Sequence, residues 1–437
     1  MTDLRSSLPR MDVFLTNELV SKYGHKRVVW HARKVLDEAR CDAKKGHIHG
    51  VDVVRMRLAR RLADRIQPAI NGTGVLLHTN LGRAPWSETA KRRCLDAVGF
   101  STVEFDTQRG GRGHRGETVE ESLCALTGAE AALVVNNCAA AVFLMLSALA
   151  RGRKILVSRG ELVEIGGGFR IPDVMAASGA QLVEVGTTNR THLRDFENAV
   201  DDEVAGVLKV HHSNFVQSGF VTQPTLKELG ELDTHLLVDL GSGQLDFSET
   251  EPSVAECVRA GASVICMSGD KLLGGPQSGI IIGEEAAIRR LRRHPLYRAM
   301  RPDKSVLAAL EGTLDDWLVG RAVPLQIMER LTIIEMTEWA NAVVHLLSEA
   351  GLACDVIRTA STMGGGSLPG QTEPSVALRL AGDSPERVAR LLRQTTPPVI
   401  GRIHDDAFFL DVRTMLPFHD AAEVADYLIE RLKAGTE

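Results

Sequence analysis

Long apolar runs, paired cysteines and aromatic clusters are what this chain has least of. No stretch approaches the about 20 consecutive apolar residues that a membrane helix requires, which excludes a helical span. The N-terminus has no basic-then-apolar leader pattern, so a cytoplasmic location is expected. The seven cysteines (positions 41, 94, 124, 138, 257, 266 and 354) form no C-x-x-C pair and no His-rich spacing. That argues against a disulfide framework and a zinc site, and no metal is expected. Aromatic residues are only 4% of the chain, and no recognition fold with base-reading aromatics is visible. Internal repeats and low-complexity segments are also missing. What is present, 437 residues of which 44% are hydrophobic, is enough for about three domains.

Charge is unevenly spread. Residues 1–65 carry a net +7 and the remainder −12. The basic excess lies mainly on two helical patterns, Gly24 to Ala43 and Val51 to Ile66, the second holding Arg55, Arg57, Arg60, Arg61 and Arg65. A basic helical hairpin suits a phosphate backbone, and equally a solvated face. Residues 1–66 are therefore expected to form a small helical domain. From residue 70 the chain alternates between strand and helix patterns, with strands at Ala132–Asn136, Lys154–Ser158, Gln181–Val185, Gly206–His211, Leu236–Leu240, Ser263–Met267 and Gly279–Ile282. Such alternation predicts an α/β fold with a mainly parallel sheet over 67–326. After a helical stretch from Ile327 to Ala350, strands at Asp355–Val356, Val376–Leu380, Val399–Ile403 and Phe408–Val412 predict a smaller α+β domain over 327–437.

Ligands in such sheets sit at the carboxyl ends of strands, and three elements place chemistry there. The strand ending at Met267 delivers Ser268, Asp270 and Lys271 onto a loop halted by Gly274-Gly275-Pro276. A lysine partly desolvated there is available as an imine-forming amine, the role of the lysine that holds pyridoxal 5'-phosphate; alone, Lys-x-x-Gly-Gly also suits a surface turn. Asp239 ends a buried strand 32 residues upstream, the span of a strand–helix–strand unit. A carboxylate there can face the cofactor's pyridinium nitrogen, or it can serve as a turn or capping aspartate. Asn137, Cys138 and Ala139 open an alanine-rich helix whose N-terminus can cup a phosphate.

At this point the sequence resembles the bacterial selenocysteine synthase family. The segments that carry the likeness are Ile70–Ala84, Ser158–Asp173, Val185–His192, Ser268–Gly275, His294–Arg301 and Val399–Ile403, together with Leu8–Asp12 and Tyr23–Val29 in the basic region. The resemblance implies a fold-type-I, aspartate aminotransferase-like transferase that uses pyridoxal phosphate to turn the serine of seryl-charged selenocysteine tRNA into selenocysteine. The β-hydroxyl leaves and selenophosphate supplies selenium. It also implies a ring-shaped homodecamer, tRNA binding by residues 1–66, and no membrane or DNA partner.

Lys271 and Asp239 are expected to be catalytic, and Asn137, Cys138, Ala139, His212 and Ser268 to touch the cofactor; the resemblance further implies that Arg83, Arg298 and Arg301 bind the selenium donor. Arg112 and Arg115 are weaker candidates for that anion or for contact with a neighbouring subunit. Departures from the family pattern are Gly241-Ser-Gly-Gln244 after Asp239, Asn136-Asn-Cys138 where three asparagines are common, and His212 where threonine is usual. His211 is an alternative to His212. Two other classes remain open, a pyridoxal phosphate lyase acting on a small amino or sugar acid and a non-catalytic tRNA-binding relative.

Overall fold

The computed structural model describes residues 10–63, 66–165, 168–212, 215–245, 248, 251–380 and 384–434. Of the segments singled out above, Leu8, Pro9, Asp64, Arg65, Gly166 and Gly167 lie outside those residues. The chain divides into two compact units, Met1–Pro68 and Ala69–Glu437.

The first unit is helical: α1 (Asn17–Tyr23), α2 (His25–Lys44) and α3 (Val51–Leu62). Apolar residues at three- and four-residue spacing give α2 one buried stripe, Val28, Ala32, Val35, Leu36 and Ala39, which packs on Phe14, Val54, Leu58 and Leu62. Gly24, at φ 79°, ends α1 and lets α2 start immediately. The polar edge is cross-tied, Asp42 accepting from Arg57 at 2.9 Å and lying 2.8 Å from His49. Arg61 pairs with Glu38. Several basic residues are thus engaged inside the unit, whereas Lys26, Arg33, Lys34 and Arg60 are exposed.

The second unit is built on a seven-stranded sheet of β1 (Ala131–Val135), β2 (Lys154–Ser158), β3 (Gln181–Val185), β4 (Val204–Val210), β5 (His235–Gly241), β6 (Val264–Ser268) and β7 (Gly279–Gly283). Its order is β1-β7-β6-β5-β4-β2-β3. β5 pairs parallel with β4 and β6, and β2 parallel with β3 and β4, while β7 is antiparallel to both neighbours. The strands are nearly all-apolar because helices cover both faces. Leu133, Val135, Ile155, Val157, Leu208 and Leu237 face one helical layer; their alternates Ala132, Val134, Leu156, Val207, Leu236 and Val238 face the other. The expected strands are all present, with ends shifted by one or two residues. The antiparallel direction of β7 was not read from the sequence; the short loop that carries Lys271 leaves no crossover helix, so the chain must double back.

A second, four-stranded sheet holds β8 (Cys354–Gly364), β9 (Ser367–Leu380), β10 (Arg402–His404) and β11 (Ala407–Asp411), in the order β8-β9-β11-β10. The expected helix over Ile327–Ala350 is two helices, Pro324–Arg330 and Ile333–Glu349. The break is a capping box: Thr332 Oγ1 accepts from Glu335 N at 3.2 Å, and the Glu335 carboxylate accepts from Thr332 N at 2.8 Å. Val399–Ile400, expected with the small sheet, instead pairs parallel with Ile70–Asn71. Beyond it, Leu76 N and Leu77 N donate to Thr362 O and Met363 O at 3.0 and 2.8 Å. Buried Asp411 joins these pieces, accepting from Ser361 and Ser375 hydroxyls at 3.0 and 2.7 Å and facing Arg402 at 3.4 Å.

Gly279, the first residue of β7, passes so close to the start of the Cys138 helix that an added Cβ would sit 2.1 Å from Asn137 O. Gly279→Ala is therefore expected to destabilise the protein by roughly 1–3 kcal/mol through overpacking. Gly99→Ala, where nothing lies within 4 Å, is expected to be neutral. Denaturant midpoints of the two variants check the contrast.

Candidate active site

Parallel pairing of β5 with β6 brings the two sequence-distant residues to one end of the sheet. Asp239 is in register with Cys266, and a bulge follows, so that Gly241 rather than Leu240 faces Met267. The chain leaves β6 at Ser268 and turns through Gly269, which an added Cβ would place 2.1 Å from Ser278 Oγ. Gly275 N donates to Gly269 O at 2.8 Å, and Leu272 N to Ser242 O at 3.0 Å. These bonds close the loop against β5 and bury Lys271 to 7% exposure. The Lys271 amine donates to Gly366 O at 3.1 Å, in the turn between β8 and β9.

Asp239, two residues beyond Leu237, faces the same layer as α4 (Cys138–Leu149). Its carboxylate is 6% exposed and accepts from Cys138 Sγ at 3.7 Å. Burial pushes its pKa up to about 6; the Lys271 charge, the Cys138 thiol and His211 pull the other way. Burial, reinforced by the Asp239 charge, raises the Cys138 thiol far above its ordinary value, so it is a donor and not a thiolate. A buried carboxylate whose ionisation is opposed this strongly is suited to a cationic partner. Asn137 caps α4, its side-chain oxygen accepting from Ala140 N at 2.8 Å. That leaves the first-turn N–H groups of Cys138 and Ala139, which have no intrahelical acceptor, pointing out of the helix N-terminus. Ser268, 6% exposed, lies beside Cys138.

The donor set fits pyridoxal phosphate: an amine on one strand-end loop, a buried carboxylate on the next, and a helix N-terminus of small residues on the same side. His212 is tied to the loop after β2. Its Nε2 bonds Gly160 O at 2.9 Å, its ring packs on Phe215 at 4.7 Å, and burial lowers its pKa. His211 is the histidine near Asp239, donating its backbone N–H to Asp239 O at 3.0 Å. Sequence reasoning missed Glu251 altogether. It is 2% exposed, with Oε2 3.2 Å from His211 Nε2 and Oε1 accepting from Leu368 N at 3.0 Å. Nothing in Glu-Thr-Glu-Pro252 distinguishes it from a surface loop.

The arginines fall into two groups. Arg83, in a left-handed conformation at φ 61°, pairs at 2.7 Å with Asp270, the residue before Lys271. Arg301 lies 3.9 Å from Glu104 and over the Tyr297 ring at 5.1 Å. Arg115 also reaches Glu104, at 3.2 Å, and donates to Pro302 O at 2.6 Å; Arg112 pairs with the same carboxylate at 3.2 Å. Arg298, three residues before Arg301, is exposed. Two different carboxylates therefore hold Arg83 and Arg301. The short helix Pro295–Met300 that leads to Arg301 is tied to the cofactor end of β1, Asn136 N donating to Met300 O at 2.9 Å.

Comparison with known proteins agrees with this geometry. The family model described as SelA, L-seryl-tRNA selenium transferase, matches residues 69–416. The L-seryl-tRNA(Sec) selenium transferase of Geobacter sulfurreducens is 44% identical over 97% of this chain and 98% of its own. Those of Rhizobium meliloti and Moorella thermoacetica are each 42% identical, covering 98% and 99% of this chain and 97% and 98% of their own. Among solved structures, one titled D-glucosaminate-6-phosphate ammonia-lyase superposes with a TM-score of 0.60 at 19% identity, over 85% of this chain and 97% of that one, a likeness of fold alone. With a buried lysine and aspartate on adjacent strand ends and a near-full-length match to these relatives, the chain belongs to the L-seryl-tRNA selenium transferase family.

Proposed function

We propose that this protein converts L-seryl-tRNA(Sec) to L-selenocysteinyl-tRNA(Sec), with pyridoxal 5'-phosphate as cofactor and selenophosphate as selenium donor. The observation that carries the reading is the buried pair of Lys271 and Asp239 at neighbouring strand ends. When bound, pyridoxal phosphate supplies an electron sink for the charge left at Cα when its proton departs. Asp239 holds the ring nitrogen's proton, which its burial makes favourable because the two charges then neutralise each other. Lys271 anchors the cofactor and, once displaced by the seryl amine, moves the proton at Cα; its near-complete burial excludes water from that transfer. The N–H groups of Cys138 and Ala139 bind the phosphate.

Arg83 sits next to the reacting lysine through Asp270, and we assign it with Arg298 and Arg301 to the anionic selenium donor, whose tetrahedral oxygens suit guanidinium forks. The exposure of Arg298 supports a donor site completed by a second copy of the chain. A cytoplasmic homo-oligomer, the ring-shaped decamer that the resemblance implies, is part of the same proposal. The basic unit supplies the tRNA contact, its exposed Lys26, Trp30, Arg33 and Lys34 sharing one face of α2. A lyase on a small amino or sugar acid would use the same lysine and aspartate. The relatives' likeness extends through the basic unit as well, which favours the transferase. No helix among the described residues is long and apolar enough to cross a membrane.

Three outcomes are expected. Lys271→Ala should lose the visible absorbance of the bound cofactor, and turnover should fall by at least about 100-fold; a borohydride-reducible lysine adduct elsewhere in that variant would move the assignment.

The second concerns Asp239 in the cofactor-free protein. Its folded pKa of about 6 exceeds the ordinary 3.8, so between those values the folded state binds more protons than the unfolded one. Stability is full below 3.8 and declines as pH rises toward the folded pKa. Asp239→Asn should therefore stabilise the cofactor-free protein at pH 7.5 by up to about 3 kcal/mol, with the gain vanishing near pH 4, while cofactor affinity drops. Thermal melts across that range, with and without cofactor, test both halves.

Third, binding of seryl-charged selenocysteine tRNA should weaken steeply with salt. Arg33→Glu and Arg60→Glu should each flatten the log–log slope by about 0.7–0.9 per lost phosphate contact without altering the cofactor spectrum. Salt-insensitive binding would return these side chains to the role of a solvated face.

A further inference from the structure

Around the Lys271 amine the structure gathers polar groups that the reaction described above does not use. Glu251, between β5 and the Val254–Arg259 helix, sends one carboxylate oxygen to Leu368 N at 3.0 Å. The other lies 3.2 Å from His211 Nε2, an ion-pair distance, and neither of those two atoms has a hydrogen-bond partner. Ser242 Oγ, buried beside the same carboxylate, and buried Ser367 Oγ have no partner in full hydrogen-bond geometry. Burial, the largest influence on Glu251, opposes its ionisation. His211, Ser242 and the Leu368 amide together outweigh it and hold the carboxyl below its ordinary range.

The Leu368 end of this contact is conformationally costly. Gly364, Gly365 and Gly366 all have positive φ, and Leu368, which carries a side chain, stands at φ 48°. A branched residue keeps a left-handed conformation only where its surroundings impose it. The Glu251 carboxylate on its N–H is such an imposition. Nor can the turn slide, since a Cβ on Gly365 would lie 2.8 Å from Leu77 Cβ. Two residues before Leu368, Gly366 O receives the Lys271 amine. His211, facing the same carboxylate, gives its backbone N–H to Asp239 O. One buried acid thus touches both the turn that holds the lysine and the histidine that adjoins the aspartate.

We propose that Glu251 is a positioning residue: its carboxylate pins the Gly364–Leu368 turn so that the Gly366 carbonyl forms a rest for the Lys271 amine, and it fixes His211 beside Asp239. The Gly366 carbonyl would then hold the Lys271 amine whenever it is free of the cofactor. The proposal deepens the reading of Lys271 as the reacting amine and rests on it. The titratable groups that act on Glu251 and Asp239 are His211, Lys271 and the Cys138 thiol.

Two variants separate the parts. Glu251→Gln keeps an oxygen for the Leu368 amide and removes the charge; Glu251→Ala removes both. In the full-length holoenzyme, amide hydrogen exchange over residues 366–369, followed by mass spectrometry, is expected to quicken at least about tenfold in Glu251→Ala and to stay near wild type in Glu251→Gln. The pH midpoint of the holoenzyme's visible absorbance should fall by about 0.5–1 unit in Glu251→Gln, because a negative charge near protonatable groups is lost. Unchanged exchange in Glu251→Ala, or an unchanged midpoint in Glu251→Gln, overturns the proposal. Should Glu251→Ala fail to fold, the Glu251→Gln midpoint decides alone. The exchange measurement does not involve Lys271 chemistry, so a failure of the lysine assignment, seen as turnover in Lys271→Ala, is distinguishable from a failure of this one.

Discussion

The parallel pairing of His235–Gly241 with Val264–Ser268 is the constraint on which the site depends. Two neighbouring strands running the same way must end on the same side, so Asp239, near the end of one, and Lys271, on the loop that follows the other, are both buried there. Asp239 is buried enough to resist ionisation, and the charge that counters this most strongly is Lys271. The sheet and its helical layers would be stable with apolar residues at both positions; what the two charges add is a pocket already arranged for a cofactor with a positive ring nitrogen and a carbonyl-derived carbon.

The same economy recurs around the pocket. Asp270 holds Arg83, Glu251 faces His211, Glu104 collects Arg112, Arg115 and Arg301, and Asp411 faces Arg402. Asp270, Glu251 and Asp411 are shielded from water and Glu104 is partly exposed; Arg83 and Arg301 reach their carboxylates from distant parts of the chain, whereas Arg112, Arg115 and Arg402 come from neighbouring segments. Removing one member of such a pair strands the other in a medium that cannot solvate it, which is why these contacts fix where the loops lie more than they add to overall stability. Arg83 shows this directly: its left-handed backbone is held by the bond to Asp270 and by its own N–H, which donates to His78 O at 3.0 Å.

Much of this was legible in the sequence because the strands of the large sheet are short, apolar and bounded by glycine or polar residues. Lys271, Asp239 and the opening of the Cys138 helix lie at strand ends, where pattern alone locates them. Features set by tertiary contact were not legible. The direction of β7 depends on the length of the lysine loop, and the pairing of Val399 with Ile70 joins segments more than 300 residues apart. Residues 359–374, Thr-Ala-Ser-Thr-Met-Gly-Gly-Gly-Ser-Leu-Pro-Gly-Gln-Thr-Glu-Pro, lack the alternation of a strand yet form most of a long hairpin, because its pairing is mutual and not driven by one buried face. The choice between His211 and His212 needed the direction in which each ring leaves the end of β4, and Glu251 needed its burial.

The pairing of Ile70–Asn71 with Val399–Ile400 has a bearing on how the protein is made. The strand that opens the second unit finds its partner only near that unit's end, and the turn that receives Lys271 comes 95 residues after the lysine itself. A chain emerging from the ribosome can assemble the seven-stranded sheet well before either partner exists. It would carry residues 70–77 unpaired and the lysine without its rest until the last strands arrive. Such high contact order slows the final step of folding. It also means that a chain broken off before residue 399 contains both Lys271 and Asp239 and still lacks part of the framework that positions them.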